Sequence, residues 1–312
     1  MTGIEAGDRG SSHMRVSARA RAAVALMRRR RTSAFYDDPA TMRALLAAHQ
    51  DPTYTRPPSW IRATTRVRHS RLDGRDCWTL QPPRGPHTDL HVLHLHGGGF
   101  VEQPGAHHWN FARWLIARLG ATVTLPMYPL APAADHRDIW PFAQHAYEKF
   151  LAGHRPEDRI VLGDSCGGGL ALALAQRLRD RGEPVPSRIG LFSPWLDLAV
   201  GDPLSARIAP DDPVLGIDGL RQAGRWYAAG AELDDPEISP VDADLRGLGR
   251  IAAFVGTRDL LLADARRLQR DAEQVGQEIE LHEYPGMYHN WIMHPLQEAR
   301  VARGHLLDFL CR

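Results

Sequence analysis

The sequence predicts an α/β protein with a mostly parallel central sheet and helices on both faces. From about residue 90 to the C-terminus, short apolar stretches of strand type alternate with longer stretches of helical periodicity. Because strand, helix and strand in succession build a parallel sheet, this rhythm favours helical layers on both sides. Glycine-rich turns directly follow two of these strands, at 97–99 and 163–167. A chain of 312 residues fits one large domain of this class.

The elements follow in order along the chain. Residues 1–20 are polar, and we expect them to be poorly ordered. Residues 197–245 interrupt the β-α rhythm with many Pro, Asp and Gly residues, which indicates a lid or cap beside the sheet. Strands are predicted over 61–67, 77–80, 90–95, 121–127, 160–162, 188–192, 251–255 and 279–284. Helices are predicted within 17–50, over 107–119, 138–152 and 220–229, from the glycine turn at 163–167 to 181, and over 259–276 and 295–310.

Composition narrows the class of partner. With 38 basic and 37 acidic residues the formal charge is +1, so no strong field favours nucleic acid or an anionic membrane. No run of about 18 apolar residues predicts a spanning helix. No signal-peptide stretch follows the basic N-terminal residues, and three widely spaced cysteines fit a reducing compartment. We therefore expect a cytoplasmic protein, with a homo-oligomer left open.

The segment Gly163-Asp164-Ser165-Cys166-Gly167 lies between a predicted strand and a predicted helix. A nucleophile on such a sharp turn needs flanking glycines, because side chains there would collide with the strained backbone. A chance match and a phosphate-binding loop are the alternatives, but no Lys-Ser/Thr pair follows the glycines. The context favours Ser165 as a nucleophile.

A second glycine-rich turn, His96-Gly97-Gly98-Gly99-Phe100, follows the strand over 90–95. Backbone N–H groups at consecutive glycines can surround an oxygen that becomes negative. We assign an oxyanion hole to the amides of Gly97 and Gly98, completed by that of Cys166. A merely flexible turn is the alternative, and the presence of Ser165 on its own sharp turn weakens it.

A serine nucleophile needs a base and an orienting carboxylate. Asp259 follows the strand over 251–255, and His289 follows the strand over 279–284, so both are expected at strand carboxyl ends. Asp264 is the rival acid, but we expect it to lie on a helix surface or to support the site from behind the triad. His282 and His294 are expected to be structural.

Four further histidines and four aromatic residues are considered as metal ligands or pocket residues. His94 and His96 point to one face of a strand, but no carboxylate nearby in sequence completes a metal site, so we expect no metal and no cofactor. His107 and His108 are expected at the surface or at a pocket rim. Four aromatic residues are hypothesised to line or border an apolar substrate pocket, with core packing as the alternative: Phe100, Trp109, Trp195 and Trp226.

Together these motifs resemble the hormone-sensitive-lipase-like family of α/β-hydrolases. The resemblance covers roughly residues 85–300 and rests on the segments 96–100, 128–132, 163–168, 193–198, 259–264 and 286–289. It implies the α/β-hydrolase fold, with residues 1–60 and an insertion at about 200–235 forming a helical cap on a catalytic domain that spans 61–312. Cys166 departs from the alanine usual in the family.

The resemblance implies a carboxylesterase for short- to medium-chain esters, with Ser165, His289 and Asp259 as its triad. The same triad supports an amidase or a natural-product deacetylase. A small-ligand receptor that shares the fold without turnover is a further alternative, as is a membrane-attached lipase that uses the basic run Arg28–Arg31.

Overall fold

The computed structural model describes residues 15–312, so residues 1–14, which include most of the segment expected to be poorly ordered, lie outside it. A single sheet forms the centre of the described chain. Its eight strands are β1 Arg66–Leu72, β2 Arg75–Gln81, β3 His91–Leu95, β4 Thr122–Pro126, β5 Arg159–Asp164, β6 Arg188–Phe192, β7 Arg250–Gly256 and β8 Ile279–Tyr284.

The strand order across the sheet is β1-β2-β4-β3-β5-β6-β7-β8. The six strands β4, β3, β5, β6, β7 and β8 are each parallel to their neighbours in this group. Strand β2 is antiparallel to both of its neighbours, β1 and β4. Because the parallel strands share one direction, their carboxyl ends meet at one edge. The α/β-hydrolase fold predicted from the sequence is confirmed, and β6 and β8 have the predicted bounds.

Eleven α-helices are present in residues 15–312: α1 Ala18–Arg29, α2 Ala34–Asp37, α3 Pro39–His49, α4 Ser59–Thr64, α5 Ala106–Leu119, α6 His136–Phe150, α7 Cys166–Asp180, α8 Pro203–Ile208, α9 Ile217–Ala228, α10 Leu262–Val275 and α11 Gln297–Cys311. Two apolar cores form on opposite faces of the sheet. Residues of α6, α7 and α10 belong to one core, and residues of α5 and α11 belong to the other. The central strands are therefore buried on both faces, which explains their continuous apolar character.

The predicted strand over 61–67 is wrong. Ser59–Thr64 forms α4, which begins directly after Pro58 and buries Ile61. The strand begins only at Arg66 and continues to Leu72, where Asp73 and Gly74, both with positive φ, turn the chain into β2. A two-residue Asp-Gly turn is typical of a tight hairpin, so this short-range signal, rather than the alternation around Ile61, fixes β1.

The N-terminal helices and the interrupting segment meet in space. Helix α9 packs against α2 and α3. The contact is close, since a Cβ atom built on Gly219 would lie 2.3 Å from the carbonyl oxygen of Tyr36. No helix within residues 15–312 has the length and apolar character needed to cross a membrane.

Candidate active site

The predicted nucleophile lies on a sharp turn between β5 and α7. Ser165 has φ 53° and ψ −125°, a conformation that non-glycine residues rarely adopt. A Cβ atom at Gly163 would lie 2.1 Å from the carbonyl oxygen of Gly167, so the turn closes only with glycine there. The turn places Ser165 at the N-terminus of α7, where the helix dipole favours negative charge.

The second glycine turn lies beside this serine. Gly97 and Gly98 line the same cavity as Ser165. A Cβ atom at Gly97 would lie 2.3 Å from Oδ2 of Asp164 and 3.0 Å from Cβ of Ser165, so glycine is required for the close approach. Within residues 15–312 the N–H groups of Gly97, Gly98 and Cys166 donate no hydrogen bond.

The Cys166 side chain joins the two turns. Its Sγ atom accepts a hydrogen bond of 3.1 Å from the backbone N–H of Phe100, and it lies 3.7 Å from the hydroxyl of Tyr128. Burial raises the pKa of the thiol to about 12. The thiol therefore stays protonated at neutral pH and serves as a packing and hydrogen-bonding group.

The predicted base and acid contact each other at the carboxyl ends of β7 and β8. Nδ1 of His289 lies 3.0 Å from Oδ2 of Asp259, and both side chains are buried. His289 lines the cavity that contains Ser165. No hydrogen bond joins the Ser165 hydroxyl to the His289 ring among the described residues, although such bonds often tighten only when substrate is bound.

The pKa of His289 is shifted in the opposite direction from those of two other histidines. Burial opposes its protonation, but the charge and hydrogen bond of Asp259, with the charges of Asp212 and Asp164, raise its pKa above the ordinary value. Burial lowers the pKa of His96 to about 3 and that of His294 to about 4. Those two rings are neutral structural groups, whereas His289 has the environment of a base.

Two further carboxylates lie close to Asp259. Asp264, the rival acid, is buried rather than on a helix surface, and its Oδ2 accepts hydrogen bonds from the N–H groups of Leu196 (2.8 Å) and Asp197 (3.0 Å). Burial raises its pKa to about 8. Asp212 accepts a hydrogen bond of 2.9 Å from the N–H of Leu260, and burial together with the charge of Asp259 raises its pKa to about 7. Neither carboxylate contacts the His289 ring through a hydrogen bond.

A cavity of about 260 Å³ adjoins Ser165. Its lining includes Met27, Thr32, Tyr36, Glu102, Gln103, His107, His108, Val214, Leu215, Asn290 and His294.

The four aromatic residues hypothesised for the pocket are not part of the cavity lining. Phe100 is buried and stacks on Tyr227 with ring centroids 3.8 Å apart. Trp109 and Trp195 are buried in the two cores, and Trp226 packs against one of them. The positions of the four rings thus agree with core packing, the alternative expected from the sequence, and other side chains line this cavity.

The N-terminal helices contact the glycine turn through Glu102. Its carboxylate accepts a hydrogen bond of 2.5 Å from the hydroxyl of Tyr36 and pairs with Nδ1 of His49. Gln50 donates hydrogen bonds to the carbonyl groups of Val101 (3.0 Å) and Ala131 (2.7 Å). The helices that line the cavity are thereby fixed to the turn that carries Gly97 and Gly98.

Sequence reasoning missed a buried polar cluster beside the nucleophile. His107 and His108 both line the cavity, but His108 is buried and contacts Asp164 rather than lying at the surface. His94 also contacts Asp164, and Asn290 donates to the same carboxylate. The adjacency of Asp164 to Ser165 was the one signal for this cluster.

Among the described residues no group of three or more His, Cys, Asp or Glu side chains is arranged to hold a metal ion.

Comparison with known proteins places this site in a family. A family profile described as alpha/beta hydrolase fold matches residues 92–293. The chain is 33% identical over 239 residues to an acetyl-hydrolase of Streptomyces hygroscopicus. The aligned region covers 76% of this chain and 75% of the acetyl-hydrolase. It is 32% identical over 222 residues to an esterase of Acinetobacter venetianus, with 70% and 73% covered. The crystal structure of an esterase from the bacterial hormone-sensitive lipase family is similar with a TM-score of 0.81 at 27% identity, covering 95% of this chain and 98% of that one.

The chain belongs to the α/β-hydrolase family. Within that family it is a member of the hormone-sensitive-lipase-like group of esterases, acetyl-hydrolases and lipases, so its class is that of the carboxylic ester hydrolases. The resemblance inferred from the sequence is confirmed at this level.

Proposed function

We propose that this protein is a serine carboxylesterase that hydrolyses short- to medium-chain carboxylic esters through an acyl-enzyme intermediate. Ser165 is the nucleophile, His289 the general base and Asp259 the orienting acid. One observation carries the proposal: the contact of 3.0 Å between His289 Nδ1 and Asp259 Oδ2 lies at the cavity that also contains Ser165 and the glycine turn.

The mechanism is acyl transfer to water. Ser165 Oγ attacks the ester carbonyl while Nε2 of His289 accepts its proton, and Asp259 holds the proton on Nδ1 and stabilises the charged ring. The tetrahedral intermediate collapses as His289 protonates the departing alcohol. Water then repeats the sequence on the acyl-enzyme, which releases the carboxylic acid and restores the serine hydroxyl.

The N–H groups of Gly97, Gly98 and Cys166 bind the oxyanion in this proposal. Their lack of other acceptors within the described chain supports it. Each donor of this type typically contributes about 2.7–4 kcal/mol to transition-state stabilisation. The chemistry requires neither a metal nor an organic cofactor.

The proposal includes a two-part cap over the catalytic domain. Met27 and Tyr36 from the N-terminal helices line the cavity that contains Ser165, together with Val214 and Leu215 from the segment at about 200–235. The segments that shape the acyl pocket would thus come from both parts of the cap. A small ester as partner and a cytoplasmic location, where free Cys77, Cys166 and Cys311 stay reduced, belong to the same proposal.

A p-nitrophenyl ester series from acetate to palmitate tests the proposed substrate class. We expect the highest kcat/KM among the short acyl groups and a decline of about tenfold or more towards palmitate, equivalent to about 1.4 kcal/mol. The reason is that the cavity, at about 260 Å³, is too small to enclose a long acyl chain. Release of p-nitrophenol measures each rate, with Ser165→Ala as the enzyme blank.

The same assay separates the alternatives. Faster turnover of matched p-nitroanilides would favour an amidase, and activity confined to acetyl groups would favour a deacetylase; the Streptomyces relative is named an acetyl-hydrolase. A maximum at palmitate would contradict the proposed preference for short acyl chains. Binding of an ester without turnover would favour a receptor.

The raised pKa of His289 predicts how activity depends on pH. The base must be neutral, so kcat/KM should fall as pH drops through a midpoint above about 6.5, the value of a free histidine. A pH profile of p-nitrophenyl acetate hydrolysis measures this midpoint. Asp212→Asn should lower it, because the Asp212 charge raises the pKa of His289. A wild-type midpoint at or below 6.5 would contradict the assignment of the base.

A further inference from the structure

The carboxylate of Asp164 lies next to the nucleophile and has no role in the proposed mechanism. It is fully buried and is held by three donors: Nε2 of His94 (3.3 Å), Nε2 of His108 (3.2 Å) and Nδ2 of Asn290 (2.8 Å). Nδ1 of His108 accepts a hydrogen bond of 2.9 Å from the N–H of Gly105, so Nε2 carries the proton that is donated to Asp164.

These donors keep Asp164 ionised. Burial acts against the charge, but the electrostatic attraction and hydrogen bond of His108, together with those of His94, hold the pKa of Asp164 well below its usual range. A buried anion is costly unless it is paired and hydrogen-bonded. Asn290 supplies the shortest of the three bonds, so its attachment to Asp164 is tight.

Asn290 directly follows the base in sequence and is anchored from two sides. Its backbone N–H donates a hydrogen bond of 3.1 Å to Oγ of Ser193, which follows β6. Its side chain reaches Asp164 at the end of β5. The backbone of Asn290 is left-handed, with φ 57° and ψ 20°, a region that Asn tolerates better than most residues.

We propose that Asn290 is a positioning residue for the base. The inference rests on the proposed function, in which Ser165 and His289 react with each other. Ser165 is covalently next to Asp164, and His289 is covalently next to Asn290, so the hydrogen bond between Asp164 and Asn290 closes a short bridge between nucleophile and base. This bridge fixes the His289 loop independently of Asp259.

The residue type at 290 follows from this role. The position needs a short side chain with an N–H donor for a carboxylate and a backbone that accepts positive φ. Asparagine meets both needs, aspartate would place two carboxylates against each other, and glycine would keep the backbone but lose the bridge.

Asn290→Gly tests the bridge without straining the backbone. We expect kcat on p-nitrophenyl butyrate, normalised to active sites titrated with an organophosphate, to fall by about 10- to 100-fold, because misplacing a catalytic group by about 1 Å has effects of that size. KM should change little, since the Asn290 amide is bonded to Asp164 rather than to substrate. Ala229→Gly is the matched control: it introduces glycine at an exposed residue of the same left-handed type, with φ 48°.

A purely structural role for Asn290 would give a different result. Thermal unfolding would then shift in Asn290→Gly while kcat per titrated site stayed at the wild-type value, and that outcome would overturn the inference. If the glycine variant does not fold, the nearly isosteric Asn290→Asp decides: we expect at least the same loss of kcat at pH 8, and wild-type kcat would again overturn it. Ser165→Ala is measured in parallel, because activity surviving in that variant would refute the proposed function rather than the bridge.

Discussion

Ser165→Ala should lower kcat for p-nitrophenyl ester hydrolysis by about 10⁶-fold, the loss seen when a catalytic serine is removed from an enzyme of this chemistry. The methyl group cannot form the acyl-enzyme, so only binding and the oxyanion amides remain to accelerate direct attack by water. That residual acceleration is about 10³–10⁴ over the uncatalysed rate. Because the variant deletes one small oxygen in a buried position, we expect the fold to be retained.

Initial rates with p-nitrophenyl acetate, at enzyme concentrations high enough to exceed spontaneous hydrolysis, measure this loss. Cys166→Ala is the matched neighbouring variant, since a thiol next to the nucleophile is the competing candidate. We expect it to remain active, because the thiol pKa of about 12 keeps the sulfur protonated and the oxyanion hole uses only the backbone of residue 166. Loss of activity in Cys166→Ala with survival in Ser165→Ala would reverse the assignment of the nucleophile.

The parts of the fold that the sequence predicts are those whose signals are local. Strands β6 and β8 have the predicted bounds, because each is a short apolar or alternating run between turn residues. The strand predicted around Ile61 is wrong because its local signal is weak. One buried isoleucine within six residues fits a helix as well as a strand. The Asp73-Gly74 turn, a stronger local signal, would have corrected it.

The candidate site divides in the same way. The two glycine-rich turns predict Ser165 and the amides of Gly97 and Gly98 from sequence, because the backbone geometry of these turns excludes other residues at the glycine positions. The cluster around Asp164 joins residues from β3, α5 and the loop after β8, and no periodicity links such distant segments. For the large aromatic residues, a pocket wall and a core position both remain open from the sequence, because both environments bury apolar rings.

The second large effect concerns the acid. Asp259→Asn should lower kcat by about 10⁴-fold, the loss known for this change in a serine triad. The asparagine amide would donate to Nδ1 of His289, which forces the ring proton onto Nε2, the nitrogen that must accept the proton of Ser165. The same change removes the charge that raises the pKa of His289. Steady-state kinetics with p-nitrophenyl butyrate over a range of pH separates the two effects, because the loss that persists on the high-pH plateau, where the base is neutral, comes from the tautomer.

Asp264→Asn makes the same chemical change at the rival carboxylate and therefore controls for the loss of a buried acid. Oδ2 of Asp264 accepts from two backbone N–H groups rather than from the His289 ring, and burial raises its pKa to about 8, so this group already carries a proton for much of the time at neutral pH. Its replacement should reduce thermal stability more than kcat, because a misplaced amide N–H₂ would face the N–H of Leu196 and that of Asp197. If Asp264→Asn instead costs as much kcat as Asp259→Asn, the contact of 3.0 Å between Asp259 and His289 is not the one that orients the base.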